Sequence, residues 1–148
     1  MTVGDIARRD VRTASTDTSL EAIVGLLAES GSNGVPVTDA EGRLIGIVTE
    51  HDVIRVIVPA YELGKPEESS KIDLDFLLAA RVDQVRDRPA SSMMTTNVIS
   101  LEEHEPLFRA TSMMLLKKLK VVPVTRDGVF VGIVSRIDIA QALLGVRI

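Results

Sequence analysis

The sequence predicts an α/β protein of the α+β kind: two β-α-β-β-α units related by a pseudo-two-fold axis, sheets facing each other, with a helical insert between them. Three observations carry this. First, the 148-residue chain repeats itself. Shifted by 87, Val11 meets Val98, Thr13 meets Ser100, Leu20 meets Leu107, and Val35-Pro36-Val37-Thr38 meets Val122-Pro123-Val124-Thr125. After a one-residue deletion in the next turn the shift is 86; Gly46-Ile47-Val48 then meets Gly132-Ile133-Val134, Thr49 meets Ser135, and Asp52 meets Asp138. Second, each copy alternates between helical and strand-like spacing of its apolar residues. Third, a unit of ~55 residues has a marginal core, so two copies pressed sheet to sheet would bury each other's exposed face.

Each element follows from local chemistry. A short β segment opens each copy, at Asp10 to Thr13 and Asn97 to Ser100. Thr18-Ser19-Leu20-Glu21 reads as a capping box, and Leu20, Ile23, Val24, Leu27 and Ala28 form the apolar stripe of the helix behind it. In the second copy Pro106 replaces Ser19, at a first-turn position that tolerates proline. A strand through Val35–Val37 (Val121–Val124) leads to an Asp/Gly turn. The third strand, Leu44–Val48 (Val129–Val134), runs into a helix starting near Thr49 (Ser135). The units are predicted at residues 1–58 and 90–148, with a loop and helical insert at 59–89. Within the insert, Lys65 to Ser70 is a polar loop, and Ile72, Phe76, Leu77 and Ala80 give an amphipathic helix to about Val85. That helix either caps the core or binds a partner.

Composition narrows the function. The chain is 45% apolar and 26% charged, so it is globular rather than disordered. It has no cysteine, which excludes disulfides, thiolate metal sites and thiol nucleophiles. A net charge of −4 without a basic tail speaks against nucleic-acid binding. The four aromatic residues (Tyr61, Phe76, Phe108, Phe130) are scattered and form no stacking platform. No apolar run approaches the ~20 residues of a membrane span, and no signal segment opens the chain, so a cytoplasmic location without membrane contact is expected. The G-x-G-x-x-G, Walker A and G-x-S-x-G motifs are absent, against dehydrogenase, NTPase and hydrolase chemistry.

The apolar-Pro-apolar strand followed by Gly-apolar-apolar-[Thr/Ser]-x-x-Asp at a helix start resembles the cystathionine-β-synthase (CBS) domain, and two copies resemble a tandem CBS pair, or Bateman module. The resemblance implies a non-enzymatic regulatory module. It would bind an adenosine-containing ligand (AMP, ADP, ATP or S-adenosylmethionine) in inter-unit clefts, often as a homodimer, and signal to an effector protein by a shift of conformation. Carried over, it makes Asp52 and Asp138 ribose ligands with Thr49 and Ser135 as hydroxyl partners. The backbone beside Pro36 and Pro123 would contact adenine, flanked by Val35, Val37, Val122 and Val124, and Thr13 and Ser100 would line the same clefts. Asp5-Ile6-Ala7 and Ser92-Met93-Met94 depart from the family pattern and differ from each other, which predicts unequal clefts.

The residues themselves leave alternatives open. Thr49-x-x-Asp52 and Ser135-x-x-Asp138 are also capping boxes, so each aspartate can simply satisfy its helix. His51 is a phosphate contact or a solvated side chain; the rival reading, an enzyme using His51 and Asp52, lacks a nucleophile nearby. Lys117, Lys118 and Lys120 suit a helix C-terminus or a phosphate, and Arg136, at a helix start, suits a phosphate. Met113-Met114-Leu115-Leu116 with Phe108 is core or a homodimer face. A protein-interaction scaffold with vestigial clefts is the alternative function.

Overall fold

The computed structural model describes residues 1–58 and 74–146. The elements are α1 (Val3–Ile6), α2 (Leu20–Ser30), β1 (Gly34–Thr38), β2 (Leu44–Thr49), α3 (Glu50–Ile57), α4 (Leu74–Val85), β3 (Leu101–Glu102), α5 (Leu107–Leu116), β4 (Val121–Arg126), β5 (Val129–Ser135) and α6 (Arg136–Leu144). β1 pairs antiparallel with β2, and β4 antiparallel with β5, which β3 extends on the β4 side as a parallel strand. Both hairpins shift register at the same place in the repeat, between Val37 and Thr38 and between Val124 and Thr125. The deleted residue leaves Asp127-Gly128 as a two-residue turn with φ +51° and +85°, the positive values a type I′ hairpin requires.

Two cores result. One gathers Leu20, Ile23, Val35, Val37, Val48 and Val53; the other gathers Leu101, Leu107, Met114, Val122, Val124, Val134 and Ile139. Neither is contiguous in sequence. Val3, fully buried, packs in the second core, while Val85, Ala90 and Met93 pack in the first. The crossings are symmetric under the repeat. Val3 N–H donates to Glu105 O at 2.8 Å, and Ala90 N–H to Thr18 O at 2.8 Å. Arg8 and Ile133 exchange both backbone bonds (2.8 and 3.0 Å), as do Thr95 and Ile47 (2.8 and 3.0 Å). The hairpin turns also join across the pseudo-axis, Leu44 N–H to Gly128 O at 3.1 Å and Phe130 N–H to Gly42 O at 3.0 Å. Each half thus holds its neighbour's leading segment by backbone bonds, and burying a residue such as Val3 adds roughly 1.5–3 kcal/mol.

Close approach explains the repeated glycine. A Cβ on Gly132 would sit 2.5 Å from Arg8 O, and one on Gly46 2.6 Å from Met94 Sδ. Asp5-Ile6-Ala7 and Ser92-Met93-Met94 are therefore the crossing segments themselves.

Several local expectations need correction. Residues 10–13 form no strand: the first copy has only the Ala14–Val37 bridge, and the second pairs at Leu101–Glu102 rather than Asn97–Ser100. The cap of α2 is Ser19, whose Oγ accepts from Ala22 N–H at 3.2 Å; Thr18 Oγ1 instead accepts from Ser15 N–H, and Glu21 pairs with Arg86. Of the predicted stripe, Leu20, Ile23 and Leu27 face the core, while Val24 and Ala28 face solvent and Leu26 packs inward instead. Pro106 is likewise the cap of α5 rather than its first turn. On α4 the inward face carries Val85 and Arg81, whose guanidinium donates to Val56 O at 3.0 and 3.2 Å; Phe76, Leu77 and Ala80 face outward. The predicted loop Lys65–Ser70 and Ile72 lie outside the described residues. No helix among the described residues is long and apolar enough to cross a membrane.

Candidate ligand site

The exchange of leading segments places the helix start of each half against the strand entry of the other. Between them lie two clefts related by the repeat. The first, ≈470 Å³, has Ile47, Thr49, Glu50 and His51 on one side. Opposite are Asn97, Val98 and Ile99 with Lys118, Leu119, Lys120 and Pro123. The second, ≈250 Å³, is lined by the equivalents Ile133, Asp10, Val11, Arg12 and Ser32, with Arg8, Leu26, Glu29 and Ser30. Small-molecule sites run from ~300 to ~1,000 Å³, so only the first has the room.

The cap motif closes the floor. Thr49 Oγ1 accepts from Asp52 N–H at 3.2 Å, and Asp52 Oδ2 accepts from Thr49 N–H (2.9 Å) and Thr49 Oγ1–H (3.0 Å). Ser135 and Asp138 repeat this at 3.3, 2.8 and 2.8 Å. Both carboxylates thus engage their own helix starts through Oδ2, the capping reading the sequence left open, and Asp52 directly follows the cleft-lining Thr49, Glu50 and His51. The cap uses one oxygen of each. Asp52 Oδ1 has only Arg55 at 3.7 Å, and Asp138 Oδ1 accepts no hydrogen bond among the described residues. Arg8 Nε also donates to Asp138 Oδ2, at 3.3 Å; its repeat equivalent at the first cleft is Thr95.

Of the other predicted residues, Thr49, His51 and Pro123 line the first cleft. The side chains of Val35, Val37, Val122 and Val124 line neither cleft. Strand alternation turns them into the two cores, at 2% exposure or less, and Pro36 is fully buried. Thr13 lies over α2 in a separate depression, 3.5 Å from the Thr38 hydroxyl. Ser100 is exposed beyond the cleft wall, which its three predecessors form. Arg136 turns away, its Nε donating to Leu119 O at 2.8 Å, and Ser135 is spent on the cap.

A larger depression, ≈790 Å³, lies between α1 and α6 and is lined by Asp5, Ile6, Asp138 and Gln141 among others. The Thr2 backbone N–H and then its hydroxyl hold the Asp5 carboxyl below its ordinary value, so two carboxylates meet there.

Sequence reasoning missed Asn33 as a cleft residue and offered Lys118 and Lys120 to a phosphate only as the alternative to a helix C-terminus, without placing them in a cleft. One signal was available: Lys118 aligns with Gly31 under the shift of 87, and both take the left-handed region, at φ +55° and +66°. A lysine standing where its repeat partner is glycine marks a backbone held for another reason.

This duplicated architecture defines a tandem module with two clefts between its halves. The profile of the CBS domain matches residues 3–59 and 90–145, and the chain belongs to that family. It is 26% identical over 155 residues to the uncharacterized protein MJ1426 of Methanocaldococcus jannaschii, covering 97% of this chain and 92% of that one. The CBS domain pair of protein MJ0100, solved in complex with 5′-methylthioadenosine and S-adenosyl-L-methionine, superposes with a TM-score of 0.69 at 25% identity, over 98% of this chain and 97% of that one. CBSX2, solved in complex with AMP, shares the fold with a TM-score of 0.73 at 24% identity, over 97% and 96%. CBS domain proteins are generally regulatory, non-catalytic modules.

Proposed function

We propose that this chain is a ligand-sensing module that binds an adenosine-containing molecule in an inter-unit cleft and signals through a change of conformation or dimer geometry. The observation that carries the reading is the open ≈470 Å³ cleft whose walls come from both repeats, so that a ligand bridges the halves. A bridging ligand shifts a population only through its preference for one arrangement of those halves. The adenosyl ligands of the MJ0100 pair support the ligand class. The apolar walls Ile47, Val98 and Ile99 suit the face of a base. The ribose diol is assigned to Asp52 Oδ1, the oxygen the cap leaves open.

The homodimer is assigned to α5 and α6, which leave Phe108, Leu115, Leu116, Leu143 and Leu144 at least 66% exposed. Met114, by contrast, belongs to the core. A second copy covering these faces would remove an apolar surface that isolated monomers rarely show.

A thermal-shift panel of AMP, ADP, ATP and S-adenosylmethionine tests the reading. A ligand at ~100 times its Kd adds about 2.7 kcal/mol. For a chain of this size that raises Tm by roughly 5–11 °C. No shift with any of the four favours the interaction scaffold.

A further inference from the structure

The repeat makes the clefts comparable position by position, and their charges diverge. Lys118 and Lys120 of the first cleft stand where the first half has Gly31 and Asn33. Arg8 and Arg12 of the second stand where the second half has Thr95 and Ile99. Each cleft therefore holds two cations, but in different states. Arg12 is held by Glu29 at 2.9 Å and Arg8 by Asp138 at 3.3 Å. Neither lysine has an ion-pair partner among the described residues, and the acid on their cleft wall is Glu50. Asp10 adds a further negative charge to the second cleft, where Asn97 is neutral in the first. His51 also faces the first cleft; Ile137 is its counterpart.

Backbone and volume point the same way. Lys118 occupies a left-handed conformation that its glycine partner adopts without strain, and this turn aims the following residues into the cleft. The second cleft has about half the space of the first.

We propose that the two clefts are unequal: the first accepts the phosphate of an adenosine nucleotide at Lys118 and Lys120, and the second is shut to anions by the internal pairing of Arg8 and Arg12 with Asp138 and Glu29. The nucleotide part rests on the function proposed above; the charge asymmetry does not. One phosphorylated ligand per chain follows. Arg8 acts as a built-in occupant of the second site, its guanidinium lying where a ligand would approach Asp138.

Two titrations test this. Inorganic pyrophosphate added to the ¹⁵N-labelled protein is expected to shift the amides of Lys118–Val121 and Thr49–His51 and to leave residues 8–12 and 30–32 unmoved. AMP measured by calorimetry is expected to bind once per chain. The double change Lys118→Gly with Lys120→Asn, copying the first half, is expected to weaken AMP by about ten-fold, while Arg12→Ala stays within about two-fold of wild type. Pyrophosphate shifts centred on Arg8–Arg12, shifts at neither cleft, or two AMP per chain would overturn the inference. Pyrophosphate at the lysines without AMP binding would instead support the asymmetry and count against the adenosine reading.

Discussion

Alanine at Gly132 attacks the crossing that holds the halves together. The new Cβ would lie 2.5 Å from Arg8 O, 3.2 Å from Arg8 C and 3.3 Å from Ala7 Cβ, all on a segment tied down by two backbone bonds. Overpacking against backbone costs about 1–3 kcal/mol. Weakening the paired Arg8–Ile133 bonds adds roughly 1 kcal/mol. The expected total of about 2–4 kcal/mol lowers Tm by roughly 4–16 °C for a chain of this length. Gly46→Ala is the internal control. Its Cβ meets Met94 Sδ at 2.6 Å and Cγ at 3.0 Å, a side chain that can swing aside, and Thr95 O only at 3.2 Å. It is expected to cost about 1 kcal/mol. Urea unfolding of both variants decides the matter. If Gly132→Ala unfolds with the wild-type midpoint, or Gly46→Ala is the worse of the two, the reasoning from backbone approach is wrong.

Lys118→Gly relieves a left-handed lysine worth about 1–2 kcal/mol, against roughly 0.5–1 kcal/mol of added freedom in the unfolded chain. Differential scanning calorimetry should therefore show a slightly more stable protein, a gain opposite in sign to its effect on nucleotide affinity. Asp52→Ala should cost about 1 kcal/mol by removing the carboxylate half of the α3 capping box, as read from urea midpoints. Asp52→Asn should retain most of that stability, because an amide oxygen can still accept from Thr49, and calorimetry should nonetheless find ligand binding reduced. Glu103 contacts Arg126 and Arg9, and the hydrogen bond from Arg126, more than that from Arg9, holds its carboxyl below the ordinary value of 4.5. Its contribution is present above that value and lost as pH falls through the depressed one. Glu103→Gln should accordingly lose less stability than wild type in acid titrations monitored by circular dichroism.

Much of this was legible in the residues. The repeat set both hairpins, and the Thr49 and Ser135 caps were readable because a capping box is a local signal spanning about four residues. The family, too, rests on that duplication. The first β segments were misplaced because a single bridge, such as Ala14 to Val37, leaves no alternating pattern. The cap of α2 was misplaced because Thr18 and Ser19 both satisfy the cap rule, and only tertiary contacts at Arg86 and Arg88 select Ser19. Val35, Val37, Val122 and Val124 were assigned to the ligand on resemblance, although period-two alternation turns their side chains to the face opposite Pro36 and Pro123. Lys118 and Lys120 could be offered to a phosphate but not placed in a cleft, for a topological reason. Lys118 and His51 are 67 residues apart and meet only because each half embraces the other's leading segment.

The most direct measurement is a crystal structure of this chain grown with AMP. The account predicts one nucleotide per chain in the first cleft, its base against Ile47 and Val98, its diol at Asp52 Oδ1 and its phosphate at Lys118 and Lys120. Density for AMP in the Arg8–Arg12 cleft, or both clefts empty at saturating nucleotide, would contradict it.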